Sequence, residues 1–136
     1  MPASRLTDVR WFVDENALGL GKLLDRERDD VVHPGHVLVP HLPLGILDVD
    51  WMPVVAQAGW VVITRDRRIR TRPAERRIFE EEGLRSVWLA GRTDLRPADQ
   101  LELVRRHWSR LEREVIKRGS GPWALALTAN GLRPLG

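Results

Sequence analysis

The chain has no cysteine. Disulfides, thiolate catalysis and cysteine-ligated zinc are therefore excluded, and a reducing, cytoplasmic setting is the expectation that fits. The sequence also lacks an apolar run near the ~20 residues that a bilayer span requires. Its opening, MPASRLTDVRWFVDEN, holds no apolar core of the kind a signal peptide carries, so neither a membrane nor an export signal is expected. There is no internal repeat and no long linker. No G-x-G-x-x-G follows an apolar run: Gly19 and Gly21 start that spacing, but the next glycine is missing, which argues against a dinucleotide enzyme.

What is present suits one folded domain over residues 1–136, with residues 1–9 as a flexible lead-in. Of the 136 residues, 43% are hydrophobic, enough for a core, and 30% are charged. The net charge of +3 is compatible with a polyanionic partner.

Apolar runs alternate with helical stretches. WFV at 11–13, VVH at 31–33, WVVIT at 60–64, SVWLA at 86–90 and the segment 123–128 read as strands, with an edge piece at 132–135. Runs that are apolar at consecutive positions are expected of strands covered on both faces. Between them the pattern predicts helices over 17–24, 50–57 and 74–82, and a long one that starts at Asp94 or Pro97. Gly19 and Gly21 weaken the first of these. In the long helix, Leu101, Val104, Trp108, Leu111 and Val115 step by three or four residues and mark one apolar face. The expected fold is a three-layer α/β/α sandwich around a small, mostly parallel sheet. The apolar face either packs on that sheet or supports a homodimer. The tryptophans at 11, 60, 88 and 123 fall in the strands and are expected in the core.

In such sheets, sites collect at the carboxyl ends of the strands. RWFVDEN places Asp14 and Glu15 just beyond the first strand, and WVVITRDRRI places Asp66 just beyond another. LGILDVDW brings Asp48 and Asp50 to a loop–helix junction that can face the same edge. Acids at these places often do no more than cap helices. Gathered together, they repel one another and raise each other's pKa, a conflict that a divalent cation resolves. Oxygen ligands suit Mg2+ or Mn2+. Such an ion activates water and offsets charge on a phosphodiester, while arginines hold the flanking phosphates. Arg65, Arg67, Arg68, Arg70 and Arg72 form the expected phosphate rim. Thr64 can orient a carboxylate or bond a phosphate, although a β-branched strand residue needs no such role.

These same pieces, FVDEN after a strand, an acid before a short helix that ends in Ala-Gly, and then WVVITRDRRI, resemble the PIN-like domains, in particular the short toxin-like group related to the VapC toxins. The resemblance covers Arg10 to Gly91. It implies a metal-dependent ribonuclease with Asp14 as the first-strand acid, Asp50 as the acid that leads the central helix and Asp66 as the acid of the Thr-x-Asp element. It also implies RNA as substrate and a cognate antitoxin protein as partner. Many relatives carry a second acid two positions after the Thr-x-Asp acid, where this chain has Arg68. Asp48 competes with Asp50 for the central place, and Glu15 and Asp94 are further candidates for a remaining ligand.

Two rival readings stand beside this one. A PIN-like protein kept for nucleic-acid binding or regulation uses the same arginines without the acids. A haloacid dehalogenase-like phosphatase would use Asp48 as nucleophile and Asp50 as general acid/base, but ILDVD is followed by Trp-Met rather than Gly-Thr. The histidines of HPGHVLVPH do not have the spacing of a zinc finger or an H-E-x-x-H site.

Overall fold

Strand β1 (Trp11–Val13) lies inside the sheet with a parallel neighbour on each side. Its residues alternate between two separate cores, Trp11 and Val13 on one face of the sheet and Phe12 on the other. The computed structural model describes residues 2–92 and 94–135. Among these, six strands form one sheet in the order β2-β1-β3-β4-β5-β6. The remaining strands are β2 (Val31–Val32), β3 (Val61–Thr64), β4 (Arg85–Leu89), β5 (Trp123–Thr128) and β6 (Gly131–Leu135). All neighbouring pairs are parallel except β5–β6. The helices are α1 (Leu18–Glu27), α2 (Asp48–Ala58), α3 (Pro73–Glu81) and α4 (Pro97–Arg118).

The layers follow from the alternation of side chains along each strand. Leu20 and Leu24 of α1 and Leu101, Val104 and Leu111 of α4 share a core with Val13, Ile63 and Val87. Trp51, Met52 and Val55 of α2 and Phe79 of α3 share the opposite core with Phe12, Val32 and Val62. This is the expected α/β/α sandwich. The apolar face of α4 lies against the sheet, where Trp108 meets Trp11 with ring centroids 4.7 Å apart.

Helix α1 forms despite its two glycines because both stand at close approaches. A Cβ on Gly19 would lie 2.5 Å from Pro97 Cγ, and one on Gly21 would lie 3.1 Å from His33 Cβ and 3.2 Å from Val13 Cβ. The helix gives up some intrinsic propensity and gains dense packing against β1 and the start of α4.

In the segment before β1, Ala3 and Val9 are buried in the core shared with α2, and Leu6–Asp8 form a 3₁₀ turn.

Helix α2 sets the position of one acid. Trp51 is fully buried against Phe12, with ring centroids 5.0 Å apart. Burying such a side chain stabilises by about 2–3 kcal/mol, and it fixes the helix start beside the carboxyl end of β1. The helix begins at Asp48, two residues earlier than the sequence reading placed it.

Candidate active site at the carboxyl edge of the sheet

Asp14 follows β1 directly. Its backbone N–H continues the ladder to Ile63 O at 2.9 Å, and its side chain starts a 3₁₀ turn by accepting from Glu15 N at 2.6 Å. Only 4% of the residue is exposed. Its other oxygen, Oδ2, accepts from Thr64 Oγ1 at 3.0 Å and from Asn16 Nδ2 at 3.2 Å. Burial pushes the carboxyl up from 3.8 to about 6; the charges of Asp48 and Asp66 add to the rise, and the bonds from Thr64 and Glu15 oppose it.

Thr64 is the buried last residue of β3. Its hydroxyl donates to Asp14 and accepts from Asp66 N at 2.9 Å, so one side chain fixes both strand-end acids. Asn16 completes the arrangement. Besides Asp14 it reaches Thr64 Oγ1 at 3.2 Å, and its Oδ1 accepts from Arg65 N at 2.9 Å. Thr64 and Asn16 together hold the Asp14 carboxylate, and Thr64 also holds the backbone of Asp66.

Asp66 starts a second 3₁₀ turn, Arg67–Arg70, by accepting from Arg68 N at 2.9 Å. The Arg68 guanidinium also reaches both carboxylate oxygens, Nε to Oδ1 at 2.9 Å and Nη2 to Oδ2 at 3.4 Å. Partial burial works to raise the Asp66 pKa, but the bonds from Arg68 and the charges of Arg68 and Arg72 outweigh it and hold this carboxyl below its ordinary value.

Asp48 is the first residue of α2. Its carboxylate accepts from Trp51 Nε1 at 3.0 Å, which orients it from its own helix, and its charge acts on both Asp14 and Arg68. Asp50 is exposed. At 3.6 residues per turn it points about 200° around the helix from Asp48, so the two cannot face the same site.

The other sequence candidates are dispersed. Glu15 accepts from Gly45 N at 2.7 Å and so fastens the loop that leads to α2. Asp94 pairs with Arg92 at 3.0 Å on an exposed loop. Arg65, Arg67 and Arg68 line a cleft of about 620 Å3 together with Asn16, Asp66 and Trp88. Arg70 instead lines a groove with Phe79 and Trp123, away from the acids. Arg72 is exposed at the start of α3, with its charge felt at Asp66. Trp88, expected in the core, is half-buried and part of the cleft wall. Its Nε1 donates to Arg65 O at 3.3 Å, and the Arg67 guanidinium lies 5.6 Å from its ring centroid.

His33 and His36 are buried beside Asp25, which His36 Nε2 contacts at 3.1 Å. Among the described residues, no three histidine or acidic side chains come together closely enough to hold a metal ion, either here or at the carboxyl edge.

A family model described as PIN like domain matches residues 9–91, more than half of the chain. The chain belongs to the PIN-like domain family. The matched span contains Asp14, Asn16, Asp48, Thr64, Asp66 and Trp88; α4, β5 and β6 lie beyond it and extend the same sheet. Comparison with curated proteins and with solved structures returned no match.

The donor set of this PIN-like domain fits a hard divalent cation in kind. It offers only oxygen, from three carboxylates on three elements, with a Thr hydroxyl and an Asn amide behind them. In placement the fit is incomplete, because Arg68 occupies both oxygens of Asp66 and Trp51 holds one oxygen of Asp48. Among the described residues, no helix is long and apolar enough to cross a membrane.

Proposed function

We propose that this PIN-like domain is a ribonuclease that hydrolyses RNA phosphodiester bonds with the help of Mg2+ or Mn2+. Asp14, Asp48 and Asp66 would hold the ion, with Asp48 in the role that the resemblance implies for Asp50. The observation that carries the reading is the state of Asp14. A carboxyl group is buried at a strand end, held by Thr64 and Asn16, and set in the field of two further acids. Keeping such a carboxyl buried works against folding near neutral pH, as expected of a group retained for chemistry, and a surface that only binds RNA has no need of it.

When bound, a divalent ion supplies an activated water and charge compensation at the phosphorus. The protein's own part is positioning. Thr64 and Asn16 fix the direction in which Asp14 presents its free lone pairs. Arg65, Arg67 and Arg68 offer donors to phosphate oxygens along the cleft. Trp88 closes one wall, where a base can stack. No side chain has to become a covalent nucleophile.

The reading is tested by cleavage of a mixed RNA pool in Mg2+, in Mn2+ and with chelator. Wild type should cut only with metal, and Asp14→Asn, Asp48→Asn and Asp66→Asn should each lose that activity. Cleavage that survives all three substitutions would remove this site from consideration.

One observation favours a second reading. With Arg68 seated on Asp66, the edge does not form a ready ligand cluster, as expected of a PIN-like domain that binds RNA without cutting it. Binding without cleavage, unchanged by the three acid substitutions, would establish that reading instead. A cognate antitoxin protein, and with it the role of toxin, rests on the likeness to toxin-like relatives alone. Co-expression with candidate inhibitor proteins, scored by rescue of growth, tests it.

A further inference from the structure

Two residues after Asp66 stands the residue that grips it. Arg68 covers both oxygens of Asp66 with its guanidinium and adds its backbone N–H to Oδ1. It also lies within the field of Asp48. A positive charge thus stands at the edge that carries Asp14, Asp48 and Asp66.

We propose that Arg68 is a built-in counter-cation for Asp66, displaced when a substrate phosphate draws its guanidinium away, so that RNA binding uncovers the acid for a divalent ion. This rests on the metal-dependent reading above and adds a control to it.

Three features of the pair support the exchange. The Asp66 side chain is only 13% exposed, while that of Arg68 is 61% exposed. The acid is held in place and the arginine is largely in water, so its guanidinium can change partner without leaving a buried charge of its own. A guanidinium binds a phosphate with the same two-pronged geometry that it uses on a carboxylate. Arg68 also lines the cleft beside Arg65, Arg67 and Trp88, so a phosphate seated there is within reach of the same side chain. Breaking the ion pair leaves Asp66 N-capping its turn through the Arg68 backbone N–H, and the acid keeps its position while it changes partner.

The consequence is reciprocal coupling. If RNA takes Arg68 from Asp66, RNA raises affinity for the ion, and the ion raises affinity for RNA by the same factor. Without RNA the site stays closed to free metal by its own arginine.

The test is a Mn2+ titration of the intact protein, followed by the electron paramagnetic resonance signal of free Mn2+. It is run with and without a short single-stranded RNA whose phosphorothioate linkages keep the charge and resist cleavage. Wild type should bind Mn2+ weakly alone and about tenfold more tightly with the RNA. Arg68→Gln should bind Mn2+ about tenfold more tightly than wild type without RNA, and gain little when RNA is added. Adding Asp66→Asn to Arg68→Gln should cancel that gain. If Arg68→Gln binds Mn2+ as wild type does while Asp14→Asn weakens it, the proposal for Arg68 is overturned and the metal site stands. If no variant binds Mn2+, with RNA or without it, both fall.

Discussion

The Thr64 hydroxyl donates to Asp14 Oδ2 at 3.0 Å, so the last residue of β3 holds the acid that follows β1. That bond is one of the influences keeping the Asp14 pKa from rising further. Thr64→Val keeps the shape and removes the hydroxyl. It should push the Asp14 pKa above about 6 and cost about 1–2 kcal/mol of stability, since Asp66 N–H loses its partner as well. Carboxyl-carbon NMR across a pH series, together with urea unfolding, measures both effects.

Asp14 itself should destabilise the protein near neutral pH. Its pKa rises from 3.8 to about 6 on folding, so the folded state holds the proton more tightly. That contribution is fully present below 3.8 and is lost as pH rises through about 6. Above that range the protein carries a buried carboxylate at a cost of up to about 3 kcal/mol. Asp14→Asn should therefore be more stable than wild type above about pH 7, with the gap closing as the solution is acidified. Thermal unfolding of both proteins across that range checks the sign. A variant less stable at every pH would show that the charge is satisfied in the fold.

Asp48 and Asp50 should behave differently although only one residue separates them. Asp48→Asn should cost about tenfold or more in cleavage rate, whereas Asp50→Asn, on an exposed face of α2, should stay within about twofold of wild type. Equal losses in the two variants would contradict the orientation given to this helix.

The arginines should divide in the same way. Arg67→Ala should weaken RNA binding and lower the salt dependence by the equivalent of about one phosphate contact. Arg70→Ala, which faces the groove beside Phe79 and Trp123, should leave both unchanged. Binding isotherms at several salt concentrations separate these outcomes.

The strands were legible because buried parallel strands read as unbroken apolar runs, as in WFV and VVIT. Asp14, Thr64 and Asp66 stand out as candidates because each lies at or just past the end of such a run. Between Asp48 and Asp50 the local pattern leaves the choice open: the expected helix starts at Asp50, whereas α2 starts at Asp48, whose charge acts on Asp14. The roles of Asn16 and Trp88 depend on contacts across 48 and 23 residues of chain, which no local pattern encodes. The only local hint for Asn16 was its place two residues after a strand-end acid, where a turn brings it back to the same side. Arg68 stood out as a departure from the family pattern, but its grip on Asp66 became visible only with side chains in place.

The most direct test of the central claim is the initial rate of RNA cleavage with Mn2+ for wild type and Asp14→Asn, with folding of both verified by circular dichroism. The account predicts metal-dependent cleavage by wild type, absent with chelator, and a fall of about a hundredfold or more in a folded Asp14→Asn. Equal rates in the two folded proteins, or a wild-type rate indifferent to chelator, would contradict it.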